Sequence, residues 1–429
     1  MAHVSIIGAC LACAAAATAS GGPLSWVVTS PTYRLLKQDI LINADCWDTE
    51  PRILASGLGF TKIIGIPGLG IPGLGEWLCR AAGGTWNDVP GDNVPLRAHT
   101  SAASPFTTWI SYGRFVFGLD GYPTEFSWPV QPSTVDPTDF RVTLSDGSVV
   151  TPEAASIFPN FEFNERSTVV IFGEFGDRRD PYTDPDAVYV VKFEVVQDDT
   201  PLTLIGPGGK MASAVGMSYG DGVTPMTAYA SGSGPTLCAA KISRLRTLGD
   251  NGPRPFQGAL PNHGKAIWGP QAKYRLRVLT TGGFSPDGVA SVLPSDFSRF
   301  FRLRAETSSG DEVWITDTNT VYEIDGHELE VLGLADLGLT ADQDPWTLAY
   351  AEDHDNQIDI ILRGDSAAMR TITHVHIPAS GTYDPFYNPG GPGNDPTPGV
   401  TYTQPGPETM QPVLDCLDDP LTVTWIKRQ

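Results

Sequence analysis

Apolar and polar residues alternate singly in five short runs of this chain, and that period of two is the tightest constraint on its fold. In "FRVTL" (140–144), Phe140, Val142 and Leu144 fall on one side, with Arg141 and Thr143 on the other. "YVVKFEVV" (189–196) sets Tyr189, Val191, Phe193 and Val195 inward. "YRLRVL" does the same with Tyr274, Leu276 and Val278, "FFRLRAE" with Phe301, Leu303 and Ala305, and "IDIIL" with Ile358, Ile360 and Leu362. Alternation over five or more residues is the mark of a half-buried antiparallel strand. No stretch longer than about ten residues shows a helical period of 3.6. The 46 Gly and 37 Pro punctuate the runs and favour turns over long helices. Asp146-Gly147 after "FRVTL" reads as one such turn. The predicted class is all-β.

Length and order suggest modules. At 429 residues, two to three domains are expected. Three segments recur in order. "DPTDFRVTLSDGSVV" (136–150) matches "LPSDFSRFFRLRAETSSGDEVW" (293–314), "STVVIFGEFG" (167–176) matches "HELEVLGLADLG" (327–338), and "DPDAVYVVKFEV" (184–195) matches "DHDNQIDIILRGD" (353–365). An internal duplication follows as an expectation. The predicted division is a leader at 1–20, an irregular Cys-bearing segment at 21–112, one module at 113–205, and a connecting region at 206–270. A second module takes 271–380, and a Pro/Gly-rich tail with a terminal strand takes 381–429.

The run "STVDPTDFRVTLSDGSVVTP", then "STVVIFG", then "DAVYVVKFEVV", resembles the immunoglobulin-like β-sandwich modules of bacterial surface proteins. The resemblance covers about 100 residues per block, on motifs of low specificity, and implies two antiparallel sandwiches rather than a partner. The Cys…Trp…Cys pattern of true immunoglobulin domains is missing.

The amino-terminal "MAHVSIIGACLACAAAATASGG" carries no acid, an apolar stretch from Val4 to Ala17 and a small-residue end. It reads as a secretory signal peptide, although its start lacks Lys or Arg. The stretch is shorter than the roughly 20 residues a bilayer span needs. A secreted or extracellular-surface location is therefore expected, without a membrane span. Beyond the leader, Cys46, Cys79, Cys238 and Cys416 make an even, widely spaced set. In an exported chain these suggest disulfides, and sequence neighbourhood pairs Cys46 with Cys79 and Cys238 with Cys416.

The formal charge of −21 excludes nucleic acid as a partner. The clustered bases of "KYRLRVL" and "RFFRLRAE" alternate with apolar residues, so they read as outward strand faces paired across to acids. An extracellular protein or polysaccharide is the expected class of partner.

Two acidic loops are candidate cation sites. "DRRDPYTDPDAV" supplies Asp180, Asp184 and Asp186 alongside Asp177. "EDHDNQID" supplies Asp353, Asp355 and Asp359. Calcium takes six to eight oxygens at about 2.3–2.6 Å, and paired carboxylates suit it. A solvated polar turn before a strand is the competing reading, and neither loop has the EF-hand pattern. In "THVHIP", His374 and His376 stand two apart on a strand and so face one side, as a zinc or copper site would need. An edge pair facing solvent explains them equally. "GMSYG" fits G-x-S-x-G around Ser218, but no helix can follow it, so a Gly-rich turn is expected rather than a hydrolase elbow. Trp109, Tyr112, Trp128, Trp268, Trp314 and Trp346 are sugar-stacking candidates or core. The tandem "IPGLGIPGLG" (66–75) is expected to cover a core, pinned by Cys79. The functional expectation is a structural, adhesive or ligand-binding exported protein, stiffened by calcium if the acidic loops bind it. The alternative is a metal-dependent enzyme or carrier using His374 and His376, or a hydrolase.

Overall fold

The computed structural model describes residues 30–57, 59–84, 86–88, 98–100, 102–160, 163–229, 236–245, 253–254, 258–259, 264–281, 292–337, 356–378 and 408–427. The leader, residues 338–355 and most of the Pro/Gly tail lie outside them. The protein is mostly β, in several antiparallel sheets.

Two sheets share the first apolar core. One runs Ile53–Ser56, Leu119–Phe126, Thr168–Gly173, Ala154–Ser156, with Phe60–Ile64 also on Leu119–Phe126. The other runs Ser218–Tyr219, Val190–Val195, Phe140–Leu144, Val149–Val150. Tyr122, Phe126, Val169 and Ile171 from the first meet Phe140, Val142, Val190 and Phe193 from the second. The Phe193 ring lies 5.8 Å from Tyr122 and 5.5 Å from Phe140. Each such side chain removed from water is worth roughly 1.5–3 kcal/mol. The first sheet is buried on its back as well, where Leu119, Val170 and Phe172 pack with Ile63, Ile64, Ile66 and Tyr112.

The third sheet has nine strands, ordered Glu312–Ile315, Arg302–Glu306, Ile372–Ile377, Thr409–Asp415, Leu237–Arg244, Tyr274–Thr280, Gln357–Gly364, His327–Ala335, Val321–Ile324. All neighbours are antiparallel except Leu237–Arg244 with Thr409–Asp415. Leu303, Ile315 and Val375 from one end share a core with Leu276, Val331 and Ile360 from the other, so the sheet curls around it.

Four of the five alternating runs bury the side the alternation selects. The fifth slips. A bulge between Val190 and Lys192 inserts an extra residue opposite Phe140–Leu144. Val190 therefore joins Phe193 and Val195 in the core, and Tyr189 is left half-exposed. The Asp146-Gly147 turn is present: Gly147 takes φ 84°, and Leu144 receives the return strand through its N–H to Ser148 O. The counterpart strands of the two similar blocks pair differently. Phe140–Leu144 pairs with Val190–Val195, whereas Arg302–Glu306 pairs with Ile372–Ile377 and not with Gln357–Gly364.

The segment read as irregular is structured. "LLKQDILI" divides into the end of helix Pro31–Leu36 and the start of strand Ile40–Asp45. The chain's last strand, Thr422–Ile426, returns to pair with Ile40–Asp45. The tandem loop covers a core with its first copy only. Ile66 is buried, whereas Ile71 and Leu74 of the second copy are exposed. The expected disulfides are absent: Cys46, Cys79, Cys238 and Cys416 are free thiols. Neighbourhood in sequence misleads here, because Cys79 sits in helix Gly75–Ala81 with its Sγ 3.4 Å from the Thr100 hydroxyl, while Cys46 and Cys416 both lie in the first core.

Candidate functional site

The back of the nine-stranded sheet carries charge, and it is not solvent-facing. Cross-strand register lines up Lys241, Arg277 and Asp359 on three neighbouring strands. Arg275 points the same way two residues from Arg277. Asp336 follows the end of His327–Ala335 with φ 63°. Over this row lies Asp45, the last residue of strand Ile40–Asp45. Asp45 Oδ1 is 2.8 Å from Lys241 Nζ and 3.2 Å from Arg275, and its Oδ2 accepts from Arg277 at 2.7 Å. Arg277 donates to both oxygens of Asp359, at 2.6 and 3.0 Å, and to Asp336. Lys241 Nζ also donates to the carbonyls of Cys46 at 3.0 Å, Leu421 at 3.1 Å and Pro420 at 3.2 Å. None of these six side chains is more than 5% exposed.

Three carboxylates therefore balance three cations inside the protein. Burial alone would raise the Asp45 carboxyl, but Lys241, Arg275 and Arg277 outweigh it and hold Asp45 well below the usual range. Burial also pushes the Cys46 thiol up to about 12 and Cys416 to about 11, so neither offers a thiolate nucleophile. The cluster fastens strand Ile40–Asp45 and the Pro420–Leu421 approach to strand Thr422–Ile426 to the sheet. A buried pair of this kind is strongly destabilising when one partner is removed, because the other charge is left in a medium that cannot solvate it.

The sequence-selected residues fall in three separate places. Asp180, Asp184 and Asp186 lie in one turn, and the carboxylates of Asp180 and Asp184 accept its amides. Asp180 Oδ1 accepts Tyr182 N–H and Asp184 Oδ1 accepts Asp186 N–H, each at 2.9 Å. Arg179 lies across the turn on Asp177, with Asp184 3.6 Å away. Asp359 is held by Arg277. Asp353, Asp355 and Trp346 lie outside the described residues. His374 and His376 do share one face of their strand. His376 Nδ1 accepts from Arg302 Nε at 2.6 Å, and its Nε2 lies 2.8 Å from Glu408. His374 Nδ1 lies 2.7 Å from Arg304, which also holds Glu312 at 3.0 Å. Burial first, then the adjacent guanidinium, lowers both imidazoles, so they are neutral at pH 7. Among the described residues, no group of three or more His, Cys, Asp or Glu is placed to hold a metal ion.

Ser218 of G-x-S-x-G is exposed on a two-residue strand, and bends rather than a helix follow it. Trp128 and Tyr112 are core, whereas Trp109, Trp268 and Trp314 are half-buried. The reading of Arg275 and Arg277 as paired to acids holds, but their face is inside. Sequence reasoning missed Asp45, Lys241 and Asp336. The available signal was sign complementarity: "NADCW", "AAKIS", "RLRV" and "IDII" each place a charge between small or apolar residues. No family model matches the chain, and no curated protein matches it. No helix among the described residues is long and apolar enough to cross a membrane.

Proposed function

We propose that the chain is a non-enzymatic structural or ligand-binding protein of the cell exterior, built from two related sandwich-like units. The observation that carries this reading is the sealed cluster around Arg277. Catalytic groups must touch a substrate, and among the described residues the ionisable side chains around Arg277 are buried, paired with opposite charges and used to join strands. In this reading the cluster takes the stiffening role that the sequence assigned to calcium. The two largest apolar cores, which are separate, support two units; the differing pairing of counterpart strands weighs against close copies.

Elemental analysis joined to melting with and without EDTA tests the proposal. Less than about 0.2 metal ions per chain and an unchanged melting temperature are expected. Calcium at one or two per chain, with a loss of several degrees on chelation, would replace the clamp with a calcium-stiffened account centred on Asp180, Asp184 and Asp186. Stoichiometric zinc or copper that His374→Ala and His376→Ala abolish would favour the carrier or enzyme reading.

A further inference from the structure

The first sheet and the nine-stranded sheet meet across a joint that hides a carboxyl. Trp47 and Leu54 come from the side of the first sheet, and Ala239 and Leu279 from the nine-stranded sheet, with Cys238 packed against them. Glu125 stands beside this contact on the central strand Leu119–Phe126, 2% exposed. Its strand partners are Ala55, next to Leu54, and Thr168.

Hydrogen-bond accounting across the joint leaves a gap next to Glu125. The Thr168 hydroxyl donates to Glu125 Oε2. From the nine-stranded sheet, the Asn356 side chain reaches the same carboxyl. Asn356 is fixed by Thr280: its Nδ2 donates to Thr280 O at 2.7 Å, and its own carbonyl accepts the Thr280 N–H at 2.9 Å and hydroxyl at 3.2 Å. That leaves Asn356 Oδ1 buried and without a donor. A buried acceptor left so is costly. A carboxylate only accepts and cannot serve it, whereas a carboxylic acid carries the O–H that can.

The surroundings of Glu125 offer no competing titration. Cys238, from strand Leu237–Arg244, is the titratable group beside it, and burial pushes that thiol well up, so it stays neutral. Gln357, next to Asn356, accepts from Arg277 at 3.2 Å, and Arg277 is balanced by Asp45, Asp336 and Asp359. Ala55 and Thr168 do not titrate. On the strand of Glu125 itself, Tyr122 belongs to the first core, and Asp120 accepts the Lys62 and Phe175 amides.

We propose that Glu125 is a proton-operated latch between the two sheets: as an acid it donates to Asn356 Oδ1 and closes the joint, and as a carboxylate it gives its proton to water, releases Asn356 and loosens the joint. Burial pushes this carboxyl up to about 7. The folded value is raised, so the latch is closed below about 7 and opens as pH rises through it.

Hydrogen exchange of the full chain, read by mass spectrometry and corrected for the intrinsic pH dependence of amides, tests the latch. Segment 274–281 contains the Thr280 amide bonded to Asn356. It should exchange at least about threefold more slowly at pH 5.5 than at pH 8.5. Segment 302–306, toward the other edge of the same sheet, should show no such difference. Glu125→Gln keeps an N–H for Asn356 Oδ1 at every pH, and should leave 274–281 as protected at pH 8.5 as at pH 5.5. If that variant does not fold, Thr168→Val, which removes the donor that favours the carboxylate, should move the transition to higher pH. A wild type without the pH difference in 274–281, a folded Glu125→Gln that retains it, or an equal change in 302–306 would overturn the proposal. So would a transition that Thr168→Val leaves unmoved.

Discussion

Glu125 shows how a single residue reports its surroundings. It lies on the central strand Leu119–Phe126, 2% exposed, with its carboxyl on the Thr168 hydroxyl. Burial pushes it up to about 7, against the lowering effect of bonds from Thr168 and Asn356. In the unfolded chain a glutamate titrates near the ordinary value of about 4.3. Between these values the folded state holds the proton and the unfolded state does not, so folding takes up protons. The contribution to stability therefore falls as pH rises from about 4 through 7. The span corresponds to roughly 4 kcal/mol at most. Glu125→Gln keeps the size and hydrogen-bonding capacity without the charge. Urea unfolding should show the variant gaining on the wild type at pH 8 relative to pH 5. An identical gap at the two pH values would refute the assignment. Nothing in "PTEFSW" announces this burial, because an acid in an alternating strand is ordinarily solvent-facing and only the layer behind the sheet reverses that.

At the scale of elements, alternation located the strands well where pairing is regular, as in "FRVTL" and "IDIIL". It failed by one residue at Val190, where a bulge depends on the partner strand and leaves no periodic trace. Helix Pro105–Tyr112 lies in the segment read as irregular and was missed, although Ser104, Pro105 and Gly113 supply the N-cap, first-turn Pro and left-handed C-terminal residue of a short helix. Gly65 was legible only as a turn residue. Its φ is 88°, and a Cβ there would lie 2.1 Å from Val116 O, so only glycine lets these segments meet. Gly147 has φ 84° but open space around it. Gly65→Ala should therefore cost more than the roughly 1–2 kcal/mol expected of a left-handed alanine at Gly147. Denaturant midpoints of the two variants decide this; equal losses would mean the Gly65–Val116 approach carries no constraint.

The whole molecule joins its cores through a buried ionic clamp. Single strands reveal their apolar sides, but which strand back lies against which segment depends on contacts between residues far apart in the chain, 232 residues for Asp45 and Arg277. Alternation therefore predicted the inside of the nine-stranded sheet and misjudged its reverse. The candidate sites suffered the same limit. The His374/His376 side was predictable from spacing two, while the partners that occupy those rings, Arg302 and Arg304, come from the neighbouring strand.

Arg277 is the centre of the clamp, touching Asp45, Asp336 and Asp359 with no exposed surface. The most direct measurement is the unfolding free energy of Arg277→Met at pH 7 against Arg304→Met, whose guanidinium is partly exposed on the other end of the same sheet. Taking a buried cation away from Asp336, Asp359 and Asp45, of which the last two keep Arg275, should cost Arg277→Met about 3–5 kcal/mol, and the loss of a partly exposed pair should cost Arg304→Met under about 1 kcal/mol. Equal and small losses in both variants would contradict the clamp.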